Sequence, residues 1–517
     1  MGATNSATAT RPGISRRWSR TAGAALASLG ALLVCPNAAA EPAAGLLRQW
    51  VHPGNDAIKA DGYHGAQTCA ACHQDALDEI VRTVHWTLAS PVRNVQGLPD
   101  GTWWGMANRE CALAGSTALA NWTAATNGRA TVQAAGCGLC HIGSLPRPIM
   151  PGAAATDAQK STVDCLVCHA GEYNWQRRAT LVTDSTGVHW GQDASLDAAL
   201  SITETPTSQA CLRCHEHSFS EDYKRGTPFT PANDVHAAAG VGCVTCHVTE
   251  HHRVAKGQYE SDMVANDLPD VPVSCPACHG PRPHHGTNAG VINDHTARLA
   301  CQTCHIAEVS GIVYENWGLP ERDDIHGTYS ALSKYDRIPA IHGIFVPTDT
   351  IAGGHPSYVW RVSNKDDHKD AQSWMANATA SIDSPGAMIF PVRALTQVML
   401  FDKKLKMWQA PGMAYLKENP QMAGFPLLLA PNREVYNRTG DVKAAIDAGM
   451  KPYEAMGLVW SGGWMAMEVP GTSYISVNHG IRRSGFACRA CHASAGVMDF
   501  KALGYGARQI EQLQQPR

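Results

Sequence analysis

Apolar positions along the chain come in short runs of differing period. The first runs from Ala22 to Val34, preceded by Arg11, Arg16, Arg17 and Arg20 and followed by Pro36, Asn37 and Ala38-Ala39-Ala40. A basic start, a short apolar stretch and small residues at a cleavage point mark an export signal spanning 1–40. The stretch is shorter than the roughly 20 residues that cross a bilayer as a helix. An uncleaved anchor is the competing reading. Ser15-Arg16-Arg17 resembles a twin-arginine start, but Trp18 and Ser19 continue it poorly, and Val34 is too large for a lipid-attachment motif at Cys35. No later run reaches 18 apolar residues, so the mature chain is expected not to span a membrane.

Three later stretches carry periodicity. Between Gln74 and Val84, the residues Leu77, Ile80, Val81 and Val84 fall on one helical face. From Pro391 to Trp408, two apolar runs flank Asp402-Lys403-Lys404, which predicts strand or hairpin. Asp441 to Ala448 predicts a short helix closed by Gly449.

The chain has 517 residues, 44% of them hydrophobic and 17% charged, which suits a folded protein. Its formal charge of −3 excludes nucleic-acid binding driven by charge. Cleavage after Ala40 would remove four Arg and no acid from 42 basic and 45 acidic residues, moving the charge to −7. The outliers are 18 Cys and 24 His. A disulfide scaffold explains the first count but not the second.

The two counts meet in one pentapeptide. Cys-x-x-Cys-His occurs eight times: Cys69/Cys72/His73, Cys137/Cys140/His141, Cys165/Cys168/His169, Cys211/Cys214/His215, Cys243/Cys246/His247, Cys275/Cys278/His279, Cys301/Cys304/His305 and Cys488/Cys491/His492. This is the attachment signature of c-type haem. Two thiols three residues apart can each join one vinyl group of the porphyrin, and the following imidazole becomes the proximal iron ligand. Zinc sites and redox dithiols also use Cys-x-x-Cys, but neither needs His directly after it in every copy.

Seven motifs crowd between Cys69 and His305, and the eighth stands alone near the C-terminus. The expected organisation is a seven-haem region over 41–310 and a haem-poor region over 311–517 carrying the last motif. Such density leaves little room for a conventional core. The expected fold class is therefore mainly α and irregular: a compact multihaem cytochrome c built around eight covalently attached haems, with few short strands. Close packing implies a continuous electron path, to which the last motif must return.

Sixteen His remain for distal positions. Those just before a motif, or a dozen residues after one, are the candidates: His85, His236, His251 or His252, His284 or His285, His295 and His479. In each pair His251 and His285 are preferred. His64, His189, His326, His342, His355 and His368 are weaker. An iron with two His is closed and suited to electron transfer, whereas catalysis needs a replaceable ligand. One thiol is left over after the motifs and Cys35. Cys111 ends the stretch Trp103-Trp104-Gly105-Met106-Ala107-Asn108-Arg109-Glu110-Cys111. It is a buried apolar Cys, an intermolecular disulfide partner, or a thiolate beside an open haem, favoured by Arg109.

These motifs and their surroundings resemble the tetrathionate reductase family of octahaem c-type cytochromes. The matching stretches are Cys69 to Trp86 (CAACHQDALDEIVRTVHW), Cys137 to Gly143 (CGLCHIG), Val163 to His169 (VDCLVCH), Gly242 to His251 (GCVTCHVTEH) and His295 to Ile306 (HTARLACQTCHI). Asn478-His479-Gly480, Cys488 to His492 and Met498 to Tyr505 (MDFKALGY) complete them. The resemblance implies a periplasmic electron-transfer enzyme in which most haems are bis-His. It implies a second haem, at His141, that carries a lysine in place of the distal His and meets substrate, with Cys111 nearby. It also implies substrates such as tetrathionate, nitrite or hydroxylamine. The family's lysine is expected after the third motif, where this chain reads Ala170-Gly171-Glu172-Tyr173-Asn174-Trp175-Gln176-Arg177-Arg178 without one. Lys160 and Lys224 are the nearest alternatives. Arg177 and Arg178 are candidates to attract an anion, or else a solvated surface pair.

Two functions of different class follow. One is a periplasmic oxidoreductase acting on a small inorganic sulfur or nitrogen substrate, fed by a redox partner such as a periplasmic or membrane quinol-linked cytochrome. The other is a non-catalytic electron carrier with every iron closed by His.

Overall fold

The computed structural model describes residues 50–91, 137–147, 152–215, 226–256, 266–316, 348–362, 380–410, 423–432, 441–468 and 473–515, with short pieces between them. The described residues lie within one compact unit, Ala38–Arg517. Cys35, Cys111, Lys224, His326, His342 and His368 fall outside them.

The architecture is mainly short helices and irregular chain. Most helices are four to eight residues long, and several coincide with the motifs: Leu166–His169, Ser208–His215, Cys243–Cys246, Cys275–His279, Cys301–His305 and Cys488–His492. One helical turn sets the two Cys and the His of a motif on a common side. The backbone N–H of the motif His closes that turn, as from His73 to Cys69 O at 2.8 Å and from His247 to Cys243 O at 2.9 Å. The second motif differs. Cys137–Cys140 is a 3-10 turn, and His141 N–H reaches only three residues back, to Gly138 O at 3.2 Å.

The Gln74–Val84 stretch folds as two helices, Ala76–Ile80 and Val84–Thr87. Buried Thr83 interrupts them by donating its hydroxyl to Ile80 O at 2.8 Å, so a local bond outcompetes the helix. The apolar face is nonetheless used: Leu77, Ile80 and Val81 pack on a buried cluster containing Trp86, Trp122, Ile142, Leu145, Val163 and Val167.

The C-terminal region adds a sheet of seven strands. Its spine is Met388–Lys406, a single strand of 19 residues, so of the two expectations for this stretch the strand holds and the hairpin does not. The turn-like Asp402-Lys403-Lys404 does not reverse the chain, because its partners come from elsewhere. Trp464–Glu468 and Pro426–Leu428 pair antiparallel with the spine, with Asp402 opposite Trp464. Asp402 is fully buried and accepts N–H bonds from Lys404, Leu405 and Ser461, each within 2.9 Å. Ser357–Arg361 and Ser473–Ser476 flank the first half of the spine, and Val309–Asn316 joins it in parallel. Ile389, at its start, bonds Arg298, Ala300 and Thr303, which seats the seventh motif on the sheet.

The helix beginning after Asp441 runs through Glu454, past the expected stop at Gly449. Asp441 caps it by accepting the N–H of Ala444. Gly449 serves packing instead: a Cβ there would lie 1.7 Å from Ala430 O. The terminator is Gly457, at φ +86°, after which Leu458 N–H reaches back to Tyr453 O. No helix among the described residues is long and apolar enough to cross a membrane.

Candidate functional site: paired imidazoles and an exceptional second motif

Seven motif imidazoles each face a non-motif imidazole. The pairs are His73 with His52 (6.1 Å between ring centroids), His169 with His252 (6.4 Å), His215 with His85 (6.4 Å) and His247 with His479 (6.5 Å). His279 with His236 (6.0 Å), His305 with His284 (6.1 Å) and His492 with His295 (6.2 Å) complete them. Two imidazoles on opposite sides of one metal ion, each with a metal–nitrogen distance of about 2 Å, have centroids roughly 6 Å apart. The donor set therefore fits haem iron held between two His.

The outer hydrogen bonds agree. Nδ1 faces a backbone carbonyl in His247 (Ala255, 2.9 Å), His295 (Val291, 2.7 Å), His305 (Arg482, 2.9 Å) and His492 (Leu513, 2.8 Å). It faces a side-chain oxygen in His252 (Glu79, 2.8 Å), His284 (Asn293, 2.9 Å) and His236 (Asp234, 3.3 Å). A proton held on Nδ1 leaves Nε2 free for a metal.

Of the sequence-predicted distal candidates, His85, His236, His295 and His479 stand in these pairs. His251 does not: its Nδ1 bonds Glu79 at 2.7 Å and its ring is largely exposed, while His252 turns inward. His284, not His285, stacks on His305. His64 bonds Asp61 O, His189 bonds Ser144 and Asp184, and His355 bonds Ala307 O. His52 carries no sequence signal, because it lies well upstream of Cys69 and adjoins no motif.

Motif sulfurs also meet one another. Cys69 lies against Cys165, Cys211 against Cys243, Cys275 against Cys301 and Cys214 against Cys140. Cys168 lies within electrostatic reach of Cys211 and Cys214, Cys246 of Cys275, and Cys304 of Cys488 and Cys491. The motifs thus follow one another in space as first, third, fourth, fifth, sixth, seventh and eighth, with the second joined at the fourth. The last motif returns to the others.

The chain itself covers the described motif sulfurs to different degrees. Cys72 and Cys278 are exposed, as are Cys246 and Cys488, while their motif partners Cys69, Cys275, Cys243 and Cys491 are half-buried. In the first and sixth motifs the first cysteine turns to a neighbouring motif, Cys69 to Cys165 and Cys275 to Cys301, and the polypeptide leaves the second open to solvent. Cys72 and Cys278 keep the attachment spacing nonetheless: Cys72 N–H bonds Cys69 O at 3.1 Å, and Cys278 lies within the helix Cys275–His279.

The second motif has a different setting. His141 is 1% exposed and sits against Trp86 and Trp122, at 5.0 and 5.3 Å, with no imidazole opposite it among the described residues. Its Nε2 lies 2.7 Å from Trp86 O and its Nδ1 3.1 Å from Gly143 O. Burial lowers its pKa to about 4, so the ring is neutral near pH 7. Two glycines admit the indoles: a Cβ at Gly138 would lie 2.5 Å from Trp122, and one at Gly143 2.6 Å from Trp86. Trp86 directly follows His85, so one dipeptide touches both the second and the fourth motifs.

Arg178 holds this loop from beneath. It is fully buried and donates to Leu139 O and Gly191 O, both at 3.1 Å, and to His141 O. Asp164 lies 3.7 Å away, also buried, and accepts from Tyr173 OH. Arg178 is thus no surface attractor of anions; its N–H groups are spent on carbonyls that shape the second motif. Arg177 is exposed at the surface and paired with Asp193 at 3.0 Å. Lys160 is engaged by Asp78 at 2.6 Å and Asp157 at 3.8 Å.

Comparisons agree with this picture. A family model described as "Cytochrome c bacterial" matches residues 352–495. An uncharacterized protein of Archaeoglobus fulgidus is 26% identical over 228 residues, covering 37% of this chain and 75% of that protein. The crystal structure of an octaheme cytochrome c from Shewanella oneidensis superposes with a TM-score of 0.62 at 20% identity, covering 90% of this chain and 99% of that one. The chain shares the fold of a multihaem c-type cytochrome, and its sequence carries eight copies of the haem-attachment signature.

Proposed function

We propose that this chain is an exported octahaem oxidoreductase that reduces a small sulfur or nitrogen compound at its second haem. The observation that carries the reading is the contrast between seven motif imidazoles with a facing imidazole and His141, which has none among the described residues. Cys-pair thioethers and the motif His would hold each haem. His52, His85, His236, His252, His284, His295 and His479 would close seven of them. Bound there, haem supplies reversible one-electron chemistry along a line of closely spaced centres.

The residues of the second motif have their own work. Trp86 and Trp122 cover His141 and exclude water from its side of the site. Arg178 fixes the carbonyls of Leu139 and His141, which sets the loop carrying Cys140. Cys111 is proposed to stand near the substrate position. For tetrathionate, two electrons would cleave the central S–S bond and give two thiosulfate ions. A redox partner would deliver electrons at a peripheral haem. The signal-like residues 1–40 support export, where haem attachment takes place.

The test is turnover by the holoprotein with a reduced dye as electron donor and tetrathionate, nitrite or hydroxylamine as acceptor. Turnover with at least one acceptor is expected. No turnover with any of them, together with eight bis-His haems, would make the protein an electron carrier.

A further inference from the structure

Asp234 belongs to no motif, yet it is a charged residue only 2% exposed. Its Oδ1 accepts the backbone N–H of His236 at 2.8 Å and lies 3.3 Å from Nδ1 of the same residue. Its Oδ2 accepts the N–H groups of Gly480 and Ile481, each at 2.8 Å. Val235 N–H adds a bond to Ile481 O at 2.9 Å. The Gly480 backbone is at φ +90°, with a would-be Cβ 2.4 Å from Thr227 Oγ1, so this approach requires glycine.

The two segments so joined carry two facing imidazoles. His236 faces His279 of the sixth motif, and His479 faces His247 of the fifth. The two motifs are themselves neighbours, with Cys246 near Cys275. A single buried carboxylate therefore sets the placement of both distal rings. We propose that Asp234 is a shared positioning residue for the fifth and sixth haems, orienting His236 and His479 together and holding both potentials low with its charge. A negative charge near an iron favours its ferric form, and a carboxylate on Nδ1–H makes the ligand more electron-rich. The direct bond acts on the sixth haem, so that haem responds more strongly. The fifth responds through charge and through the seating of Gly480.

The proposal rests on the reading of His236 and His479 as distal ligands, and the test separates the two. In the full-length holoprotein, His236→Ala and His479→Ala should each convert one haem to high spin in electron paramagnetic resonance (EPR). If neither does, the ligand reading has failed. Asp234→Asn keeps an acceptor oxygen but removes the charge. It should retain all low-spin signals and move two midpoint potentials upward in a spectroelectrochemical titration, one more than the other. Asp234→Ala should additionally perturb the spin state at both haems, with Asp234→Asn restoring it. Working histidine controls combined with an Asp234→Asn variant that shifts no potential, or only one, overturn the shared role.

Discussion

His295 and His492 face each other with ring centroids 6.2 Å apart; His295 directs Nδ1 at Val291 O of its own helix, and His492 directs Nδ1 at Leu513 O of the C-terminal helix Ala507–Gln514. The contact ties the last motif to the helix just before the seventh. Replacing His295 with Ala should leave the covalent haem content unchanged by mass spectrometry and convert one low-spin haem to high spin. An unchanged EPR spectrum would remove His295 from the ligand set.

Adjacent His251 and His252 share the carboxylate of Glu79, but only His252 faces a motif imidazole, that of His169. His252→Ala should alter the spin state of one haem, and His251→Ala should alter none. The reverse outcome would reassign the distal position at the third motif. Glu79→Gln should raise the potential of that same haem, because it removes a charge from the outer nitrogen of His252.

Arg178 is buried with Asp164 and three carbonyls. Arg178→Ala leaves a buried carboxyl without its partner and should cost about 3–5 kcal/mol in denaturant unfolding. Arg178→Lys should rescue little, because one ammonium cannot reproduce the planar fork. A variant with wild-type stability would refute the clamp.

Gly449 touches Ala430 O so closely that no side chain fits. Gly449→Ala should destabilise the C-terminal region by about 1–3 kcal/mol or more, despite the better helix propensity of Ala. A stabilised variant would return Gly449 to the role of helix terminator.

Burial alone would raise the carboxyl of Asp402, but N–H bonds from Leu405, Ser461 and Lys404 outweigh it and hold it below the usual carboxylate range. A depressed folded-state value means stability that is present above the ordinary carboxylate pKa and lost as pH falls through the lower one. Asp402→Asn should therefore be less stable than the parent at neutral pH, and the gap should close in acid. A gap independent of pH would deny the charge its role.

How much was legible in the sequence follows from range. The motifs are local, so their spacing alone marks the eight from Cys69 to His492 as expected attachment sites. Ligand pairs are not local. His479 meets His247 only because Asp234 and the bridge from Gly226 draw the C-terminal segment back. His52, far upstream of its motif, carried no local mark. Between His251 and His252 the choice depends on which ring Glu79 leaves facing inward. Gly449 looked like a stop because a glycine's close contact and its left-handed turn are indistinguishable in one sequence. Asp402 looked like a turn because its bonds to Ser461 are distant in the chain.

We propose that seven haems are closed by paired His and that the second is not. Low-temperature EPR of the fully oxidised holoprotein, with integrated signals, tests it most directly. The expected spectrum holds seven low-spin bis-His ferric haems and one of different ligation, whose signal alone changes when tetrathionate, nitrite or hydroxylamine is added. Eight low-spin bis-His haems, indifferent to every added substrate, would contradict it.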